Sequence, residues 1–257
     1  MANILITGCR GGIALDAARR LAQRGHTVYA TVHKEESIVA TKAAFSKTDR
    51  AIVQKLDILN SQDRQTAADL PVDVLINNAA IGDSGPLADI DVARIQRTFE
   101  TNLFATLALT QPIIKRMTDK GGGRVLFIGS IAGHIPMPFL APYNMTKFAL
   151  EGLVYALRQE VKPLGIDVVM VNPGGYHTGF NQKNMTNKYT WMNLKHYSQT
   201  YLDRIKKEER SLTMAELKST RSIAKRIVAA CEATHPKKRY VAPLWQWLGA
   251  PIVRWIK

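Results

Sequence analysis

Short apolar runs rich in β-branched residues alternate with longer amphipathic stretches along the chain, and this alternation limits the folds it can adopt. The apolar runs lie at residues 3–7, 27–32, 51–56, 72–77, 124–129, 167–171 and 239–242. Runs of this length and composition are typical of buried strands, and the stretches between them carry apolar residues at helical spacing. We therefore predict an α/β fold, a doubly wound parallel sheet with helices on both faces, which binds ligands at the carboxyl ends of its strands.

Length and composition favour a single domain. The chain has 257 residues, no internal repeat and no linker rich in Pro, Gly or Ser, so one core is expected over residues 1–257. Its apolar strand begins directly after the N-terminus, without a hydrophobic leader, which predicts a cytoplasmic protein. Cys9 and Cys231 are far apart and predict reduced thiols, and the six histidines show no metal-ligand spacing.

The net charge of +14 indicates anionic partners. Nucleotide phosphates, nucleic acid, an acidic membrane and acidic substrates all fit this charge, and the charge alone does not choose between them. The cations are dispersed along the sequence and form no known nucleic-acid-reading motif. We therefore expect no nucleic-acid partner.

Residues 130–147 carry the groups best suited to chemistry. Ser130 follows an apolar strand, while Tyr143 and Lys147 lie one turn apart in a helix predicted from 142 to 162. A lysine ammonium beside a phenol favours the phenolate, so we expect Lys147 to lower the pKa of Tyr143 from its usual value of about 10. Tyr143 would then donate and accept protons near neutrality, and the Ser130 hydroxyl would hold a substrate oxygen.

A glycine-rich turn follows the first strand and precedes a helix. It has the sequence Thr7-Gly-Cys-Arg-Gly-Gly-Ile13, in which backbone amides and the helix N-terminus are suited to a pyrophosphate. This turn, together with Ser130 and the Tyr143-x-x-x-Lys147 spacing, resembles the signature of the short-chain dehydrogenase/reductase family. The matches extend to Thr178, and Ala14 and Ala80 stand where the family usually has glycine.

The resemblance implies a Rossmann-like NAD(P)-binding domain that moves a hydride between a nicotinamide and an alcohol or carbonyl. It implies that Asn102 completes the catalytic set with Ser130, Tyr143 and Lys147 by binding a water that links Lys147 to solvent. It also implies a homodimer or homotetramer through the helices that carry Asn102 and Tyr143. The residues it implies for cofactor binding are Gly8, Arg10, Gly12, Ile13, His33, Lys34, Asp57, Ile58, Asn78, Ala79, Tyr143, Lys147, Pro173, Gly174 and Thr178.

The end of the second strand favours NADP over NAD. An acidic residue there binds the ribose 2′-hydroxyl of NAD, whereas basic residues accommodate the 2′-phosphate of NADP. His33 and Lys34 follow this strand, with no carboxylate before Glu35, and Arg10 in the glycine turn adds a further cation. Solvated cations without a ligand would give the same sequence.

Two C-terminal segments remain. Residues 176–215 carry many aromatic and basic residues and predict a substrate lid, or a solvated helical flap packed by its own aromatics. A lid of this composition suits a hydrophobic substrate of steroid, retinoid or acyl type, and several smaller carbonyl compounds fit it equally well. The tail, residues 243–257, combines three tryptophans with cations. We expect it to pack on the lid or a second copy, with peripheral membrane contact as the alternative.

These patterns predict an NADP(H)-dependent oxidoreductase in which Tyr143 is the general acid and base. The alternative is a catalytically silent NADP-binding sensor or interaction protein, against which the intact set of catalytic residues argues.

Overall fold

The computed structural model describes residues 1–46 and 50–248. Within these ranges seven strands form one parallel sheet in the order β3-β2-β1-β4-β5-β6-β7. The strands are β1 (Asn3–Ile6), β2 (Thr27–Val32), β3 (Ala51–Lys55), β4 (Val74–Asn77), β5 (Gly123–Ile128), β6 (Ile166–Pro173) and β7 (Arg239–Ala242). The predicted doubly wound fold and its strands are confirmed.

Helices cover both faces of the sheet. They are α1 (Gly12–Gln23), α2 (Ile38–Lys42), α3 (Ser61–Ala68), α4 (Val92–Phe99), α5 (Thr106–Asp119), α6 (Ala141–Val161), α7 (Phe180–Thr186), α8 (Gln199–Met214) and α9 (Arg221–Glu232). Ile4 and Ile6 pack with α1 and α9, whereas Leu5 between them packs with α3, α5 and α6. The alternation of side chains along each strand thus feeds two apolar layers.

The strand order reverses between β1 and β4. The hydroxyl of Thr7, directly after β1, accepts the backbone amides of Asn78 and Ala79, each at 2.9 Å, directly after β4. These bonds fix the two strand ends beside the crevice in which open α/β sheets bind their ligands.

The helical region from residue 92 to residue 119, which carries Asn102, is not one continuous α-helix. A π-helical segment, Glu100–Ala105, separates α4 from α5. Such a segment adds a residue to the helical turn and is frequent at functional sites. It contains Asn102, whose side chain bonds to residues outside the helix, and those tertiary bonds are invisible in a local sequence pattern.

Segments 176–215 and 243–248 pack on the carboxyl edge of the sheet. The amide of Gly175 donates to Oε1 of Gln246 at 2.8 Å, and Nε2 of Gln246 donates to the Ala215 carbonyl at 2.7 Å. The described part of the tail therefore packs beside the end of α8, as expected, and residues 249–257 of the predicted tail lie outside the described ranges. Of the helices described, none has the length and apolar character needed to cross a membrane.

Candidate active site

The glycine turn is enclosed by two other predicted cofactor-binding segments. Gly8 has φ +73°, and a Cβ there would lie 3.0 Å from Cα of Ala79. Gly12 has φ +62°, and a Cβ there would lie 3.1 Å from Cβ of Thr178. Both the left-handed backbone and these close approaches require glycine. The turn, Ala79 and Thr178 therefore form one cradle of small residues, which fits a dinucleotide.

Asn78, Ala14 and Ile13 hold the glycine turn in its position. Nδ2 of Asn78 donates to the carbonyls of Thr7 at 3.0 Å and Gly8 at 3.2 Å. Ala14, which stands where the family has glycine, is buried in the apolar layer beneath α1, so its methyl group is accommodated. Ile13 packs against the same layer.

Pro173 and Gly174 bring the end of β6 to the same edge of the sheet. Pro173 is the last residue of this strand, and the Gly174 amide donates to the Ala242 carbonyl at 2.9 Å. The segment that follows carries Thr178 to the glycine turn.

The predicted cofactor-selecting residues meet at the ends of β2 and β3. The Cys9 amide donates to the Thr31 carbonyl at 2.6 Å, which brings the glycine turn, with its exposed Arg10, to the end of β2. The exposed His33 places Nε2 3.4 Å from Oδ2 of Asp57, and Nζ of Lys34 lies 3.4 Å from Oε1 of Glu36.

Asp57 and Ile58 differ in what they can offer a ligand. Oδ1 of Asp57 accepts the Leu59 amide at 3.0 Å, which orients the partly exposed carboxylate. The Ile58 side chain is buried in the apolar layer that includes α3, and its carbonyl accepts Nη1 of Arg64 at 2.6 Å. A role of Ile58 in cofactor binding therefore stays a prediction that concerns its backbone.

Ser130 and Tyr143 meet at the carboxyl end of β5. Ser130 caps a 3₁₀ turn, Ile131–Gly133, where its hydroxyl accepts the Ala132 amide at 3.1 Å. Tyr143 lies in the first turn of α6, buried, and the Ser130 side chain lies near enough to its phenol to favour a lower pKa of that group. The Tyr143 ring also packs against Phe180 of α7, with 5.5 Å between ring centres.

Lys147 lies beneath Tyr143, but burial dominates the titration of both groups. Nζ of Lys147 donates to the Ile128 carbonyl at 2.8 Å and lies 5.6 Å from the centre of the Tyr143 ring. Burial lowers the pKa of Lys147 to about 8, against an opposing influence of Glu151. Burial raises the pKa of Tyr143 to about 12, against an opposing influence of Ser130. The expected lowering of the Tyr143 pKa by Lys147 is therefore wrong for the protein without ligand.

Asn102 joins the π-helical segment to the loop after β4 and to α6. Its Nδ2 donates to the Ile81 carbonyl at 2.8 Å and to the Thr146 hydroxyl at 3.0 Å, and its Oδ1 accepts the Ile81 amide at 2.8 Å. The Thr146 hydroxyl in turn donates to the Tyr143 carbonyl at 2.8 Å. These bonds occupy the Asn102 side chain, so its predicted binding of a water stays a prediction that concerns the main chain.

The sequence analysis missed a polar cluster behind Ser130. Glu151, one turn after Lys147 on α6, accepts from His134 at 2.9 Å, from Asn172 at 2.7 Å and from Arg239 at 2.6 Å. Burial raises the pKa of Glu151, and these hydrogen bonds outweigh it and lower that pKa to about 2. The available sequence signal was a carboxylate four residues after Lys147 in a helix that is otherwise largely apolar around it.

The predicted lid is hydrogen-bonded to the loop after β4 and packs against it. The Ser84 hydroxyl donates to the Asn184 carbonyl at 2.6 Å. A Cβ at Gly82 would lie 2.2 Å from the Asn184 side chain, and one at Gly85 would lie 2.2 Å from the Trp191 ring. These glycines let the segment pack closely above the site, and its function as a lid stays a prediction.

The two cysteines lie in the apolar interior of the described chain. Both cysteines are free and buried, which raises the pKa of each to about 12. No group of His, Cys, Asp and Glu in residues 1–46 and 50–248 is arranged to hold a metal ion.

Comparison with known proteins agrees with this geometry. The family model described as short chain dehydrogenase matches residues 2–189. The chain is similar to a 3-ketodihydrosphingosine reductase of Bacteroides thetaiotaomicron, with 30% identity over 211 residues that cover 81% of this chain and 77% of the relative.

Solved structures show the same fold. One is a Burkholderia phymatum short-chain dehydrogenase/reductase in complex with NAD, with TM-score 0.80 and 18% identity over 97% of this chain and 92% of that one. Another is a Sphingobium yanoikuyae short-chain dehydrogenase in complex with NADPH, with TM-score 0.76 and 21% identity over 98% and 94%. From the family match and the residues assembled at this edge of the sheet, we conclude that the chain belongs to the short-chain dehydrogenase/reductase family of oxidoreductases.

Proposed function

We propose that this chain is an NADP(H)-dependent oxidoreductase that reduces a hydrophobic ketone or aldehyde, or oxidises the corresponding alcohol, with Tyr143 as the general acid and base. The observation that carries the proposal is the grouping of the half-buried Ser130 side chain with the buried Tyr143 phenol and the buried Lys147 ammonium beside a dinucleotide cradle. A single cradle and a single proton donor at the same sheet edge suit hydride and proton transfer to one carbonyl.

Each residue has a defined task in reduction. The residues that would hold the cofactor are the glycine turn, Asn78, Ala79, Lys147 and Thr178. The nicotinamide of that cofactor would supply the hydride. Ser130 and Tyr143 would donate hydrogen bonds to the substrate oxygen, and Tyr143 would release its proton as the oxygen becomes an alkoxide. Lys147 would stabilise the resulting phenolate through its positive charge.

The pKa of Tyr143 predicts how the rates of reduction and oxidation depend on pH. With a pKa of about 12, the phenol is protonated at pH 7 and is ready to act as an acid. Alcohol oxidation needs the phenolate. At any pH below the pKa of Tyr143, the phenolate population rises about tenfold when the pH rises by one unit. We therefore expect oxidation to accelerate with rising pH and reduction to proceed at neutral pH.

An apolar carbonyl compound fits the surroundings of Tyr143. The phenol ring contacts Phe180 of the predicted lid. Elsewhere in the lid, Tyr201 packs edge-on against Phe139 at 5.8 Å and stacks on Tyr197 at 5.4 Å, so the segment is rich in aromatic contacts. The similarity to a 3-ketodihydrosphingosine reductase supports a ketone as the reacting group. We propose a substrate with an extended hydrocarbon part.

A catalytically silent nucleotide sensor is the alternative, and the assembled site argues against it. A sensor needs the cradle but does not need a buried phenol with a serine beside it and a buried lysine one helical turn away. Turnover by the wild-type protein distinguishes the two functions.

Replacing Tyr143 by phenylalanine should abolish turnover, because it removes the hydroxyl that supplies the proton in the proposed reduction. We expect carbonyl reduction to fall at least about 1000-fold, within the range for loss of a general acid, while NADPH binding by fluorescence titration stays within about threefold. Tyr155→Phe, at an exposed position of the same helix, is the matched control and should retain full activity. Wild-type turnover in Tyr143→Phe would overturn the assignment.

Removing cations beside the glycine turn should select against NADPH. In the double variant Arg10→Ala and Lys34→Ala, we expect NADPH to bind about 10-fold to 100-fold more weakly while NADH binding changes little, because only NADPH carries the 2′-phosphate. The double variant Lys115→Ala and Lys120→Ala, at exposed positions near the end of α5, removes the same number of charges away from the strand ends and controls for net charge. Equal weakening for NADPH and NADH, or tighter binding of NADH by the wild type, would contradict the NADP preference.

A second copy of the chain is proposed to cover exposed apolar side chains on the π-helical segment and α6. Phe104 is 54% exposed and Phe148 is 40% exposed. We expect a homodimer or homotetramer by light scattering, and Phe104→Glu with Phe148→Glu should shift it toward monomer because each introduces charge into an apolar contact. A wild-type protein that is monomeric at micromolar concentration would refute this proposal.

A further inference from the structure

Asn172 connects the catalytic serine to the polar cluster behind it. The Asn172 side chain is buried and passes beside Gly129, where a Cβ would lie 2.7 Å from its Nδ2. Through this gap Nδ2 donates to the Ser130 carbonyl at 3.3 Å and to Oε1 of Glu151 at 2.7 Å. The absence of a side chain at Gly129 therefore allows Glu151 to act on the Ser130 main chain through one amide.

Arg239 on β7 holds both partners of this amide. Its Nη2 donates to Oε2 of Glu151 at 2.6 Å, while Nη1 donates to Oε1 at 2.9 Å and to Oδ1 of Asn172 at 2.7 Å. The ring of Trp247 lies 5.4 Å from the guanidinium and 4.5 Å from the His134 ring. The Arg239–Glu151 ion pair is bidentate, and the Trp247 ring packs near the guanidinium. Such a pair fixes the Glu151 carboxylate more firmly than a solvated ion pair would.

The same carboxylate lies one helical turn from Lys147. Glu151 favours the charged form of this lysine, against the burial that disfavours it. The titratable and charged groups that face Lys147 and Glu151 from the surrounding elements are Tyr143 and Arg158 on α6, His134 after the 3₁₀ turn and Arg239 on β7.

We propose that Glu151 is a positioning residue for the catalytic site, which fixes Ser130 through Asn172 and maintains the charge of Lys147. The inference rests on the function proposed above, but its effect on Lys147 is measurable without cofactor or substrate. Arg239 and Asn172 are the parts that hold Glu151 in place. None of these three residues touches the reacting atoms.

The test is the titration of Lys147 in the cofactor-free protein, monitored by NMR of the protein labelled with ¹⁵N-lysine. The signal of Lys147 is assigned by its absence in Lys147→Met. The negative charge of Glu151 stabilises the ammonium, so Glu151→Gln should move the Lys147 midpoint about one pH unit lower. Asp167→Asn removes the carboxylate of another partly buried arginine pair, with Arg124, and should leave the midpoint unchanged. An unchanged midpoint in Glu151→Gln would overturn the electrostatic part of the proposal.

Kinetics test the positioning part. In Glu151→Gln we expect kcat for carbonyl reduction to fall about tenfold at pH 8, and its alkaline decline to begin at lower pH, with the KM for NADPH within about threefold. Arg239→Lys keeps the charge of Glu151 but not the bidentate bond, so it should lower kcat without moving the pH profile. A solely structural role would lower the melting temperature of both variants and leave the pH profile of Glu151→Gln unchanged.

The outcomes separate this inference from the proposed function. Absence of carbonyl reduction by the wild type would refute the function, while the Lys147 midpoint would still decide the inference about its charge. If Glu151→Gln does not fold, Arg239→Lys alone decides the positioning role. Reduced kcat with the wild-type melting temperature and the wild-type KM for NADPH would support that role. Wild-type kcat, or a reduced kcat that accompanies a lowered melting temperature, would refute it.

Discussion

Seven parallel strands end at the same edge of one sheet, and the placement of the site depends on this constraint. Each connection must cross a face of the sheet before the next strand begins, so the residues that follow the strands converge although they are far apart in sequence. Thr7 thus meets Asn78 and Ala79, and Gly12 meets Thr178. The same convergence brings Ser130, after β5, to Asn172 near the end of β6.

The parts of this arrangement that follow from local patterns could be predicted from the sequence. Apolar runs located the strands, because a strand buried on both faces needs an uninterrupted apolar sequence. The spacing of Tyr143 and Lys147 placed them one turn apart on α6, and the structure agrees. Asn102 was correctly placed in helical structure, but the π-helical segment around it depends on bonds to Ile81 and Thr146 that no local pattern contains.

Electrostatics at the site could not be predicted in this way. The sequence suggested that Lys147 would lower the pKa of Tyr143, yet enclosure beneath Phe180 and the surrounding core makes desolvation the larger influence on both groups. Glu151 was missed because its partners lie on β6, on β7 and in the loop after β5. Burial and long-range pairing, which set these pKa values, emerge only when the chain has folded.

The most direct test of the proposed function uses NADPH with deuterium at both hydrogen positions of nicotinamide C4 and a hydrophobic ketone, and mass spectrometry of the product detects the transferred label. A panel of long-chain and polycyclic ketones suits the aromatic surroundings of Tyr143. The account predicts an alcohol with one deuterium on the former carbonyl carbon, formed by the wild-type protein. An unlabelled product, or no product across the panel although NADPH binds, would contradict it and favour the silent nucleotide sensor.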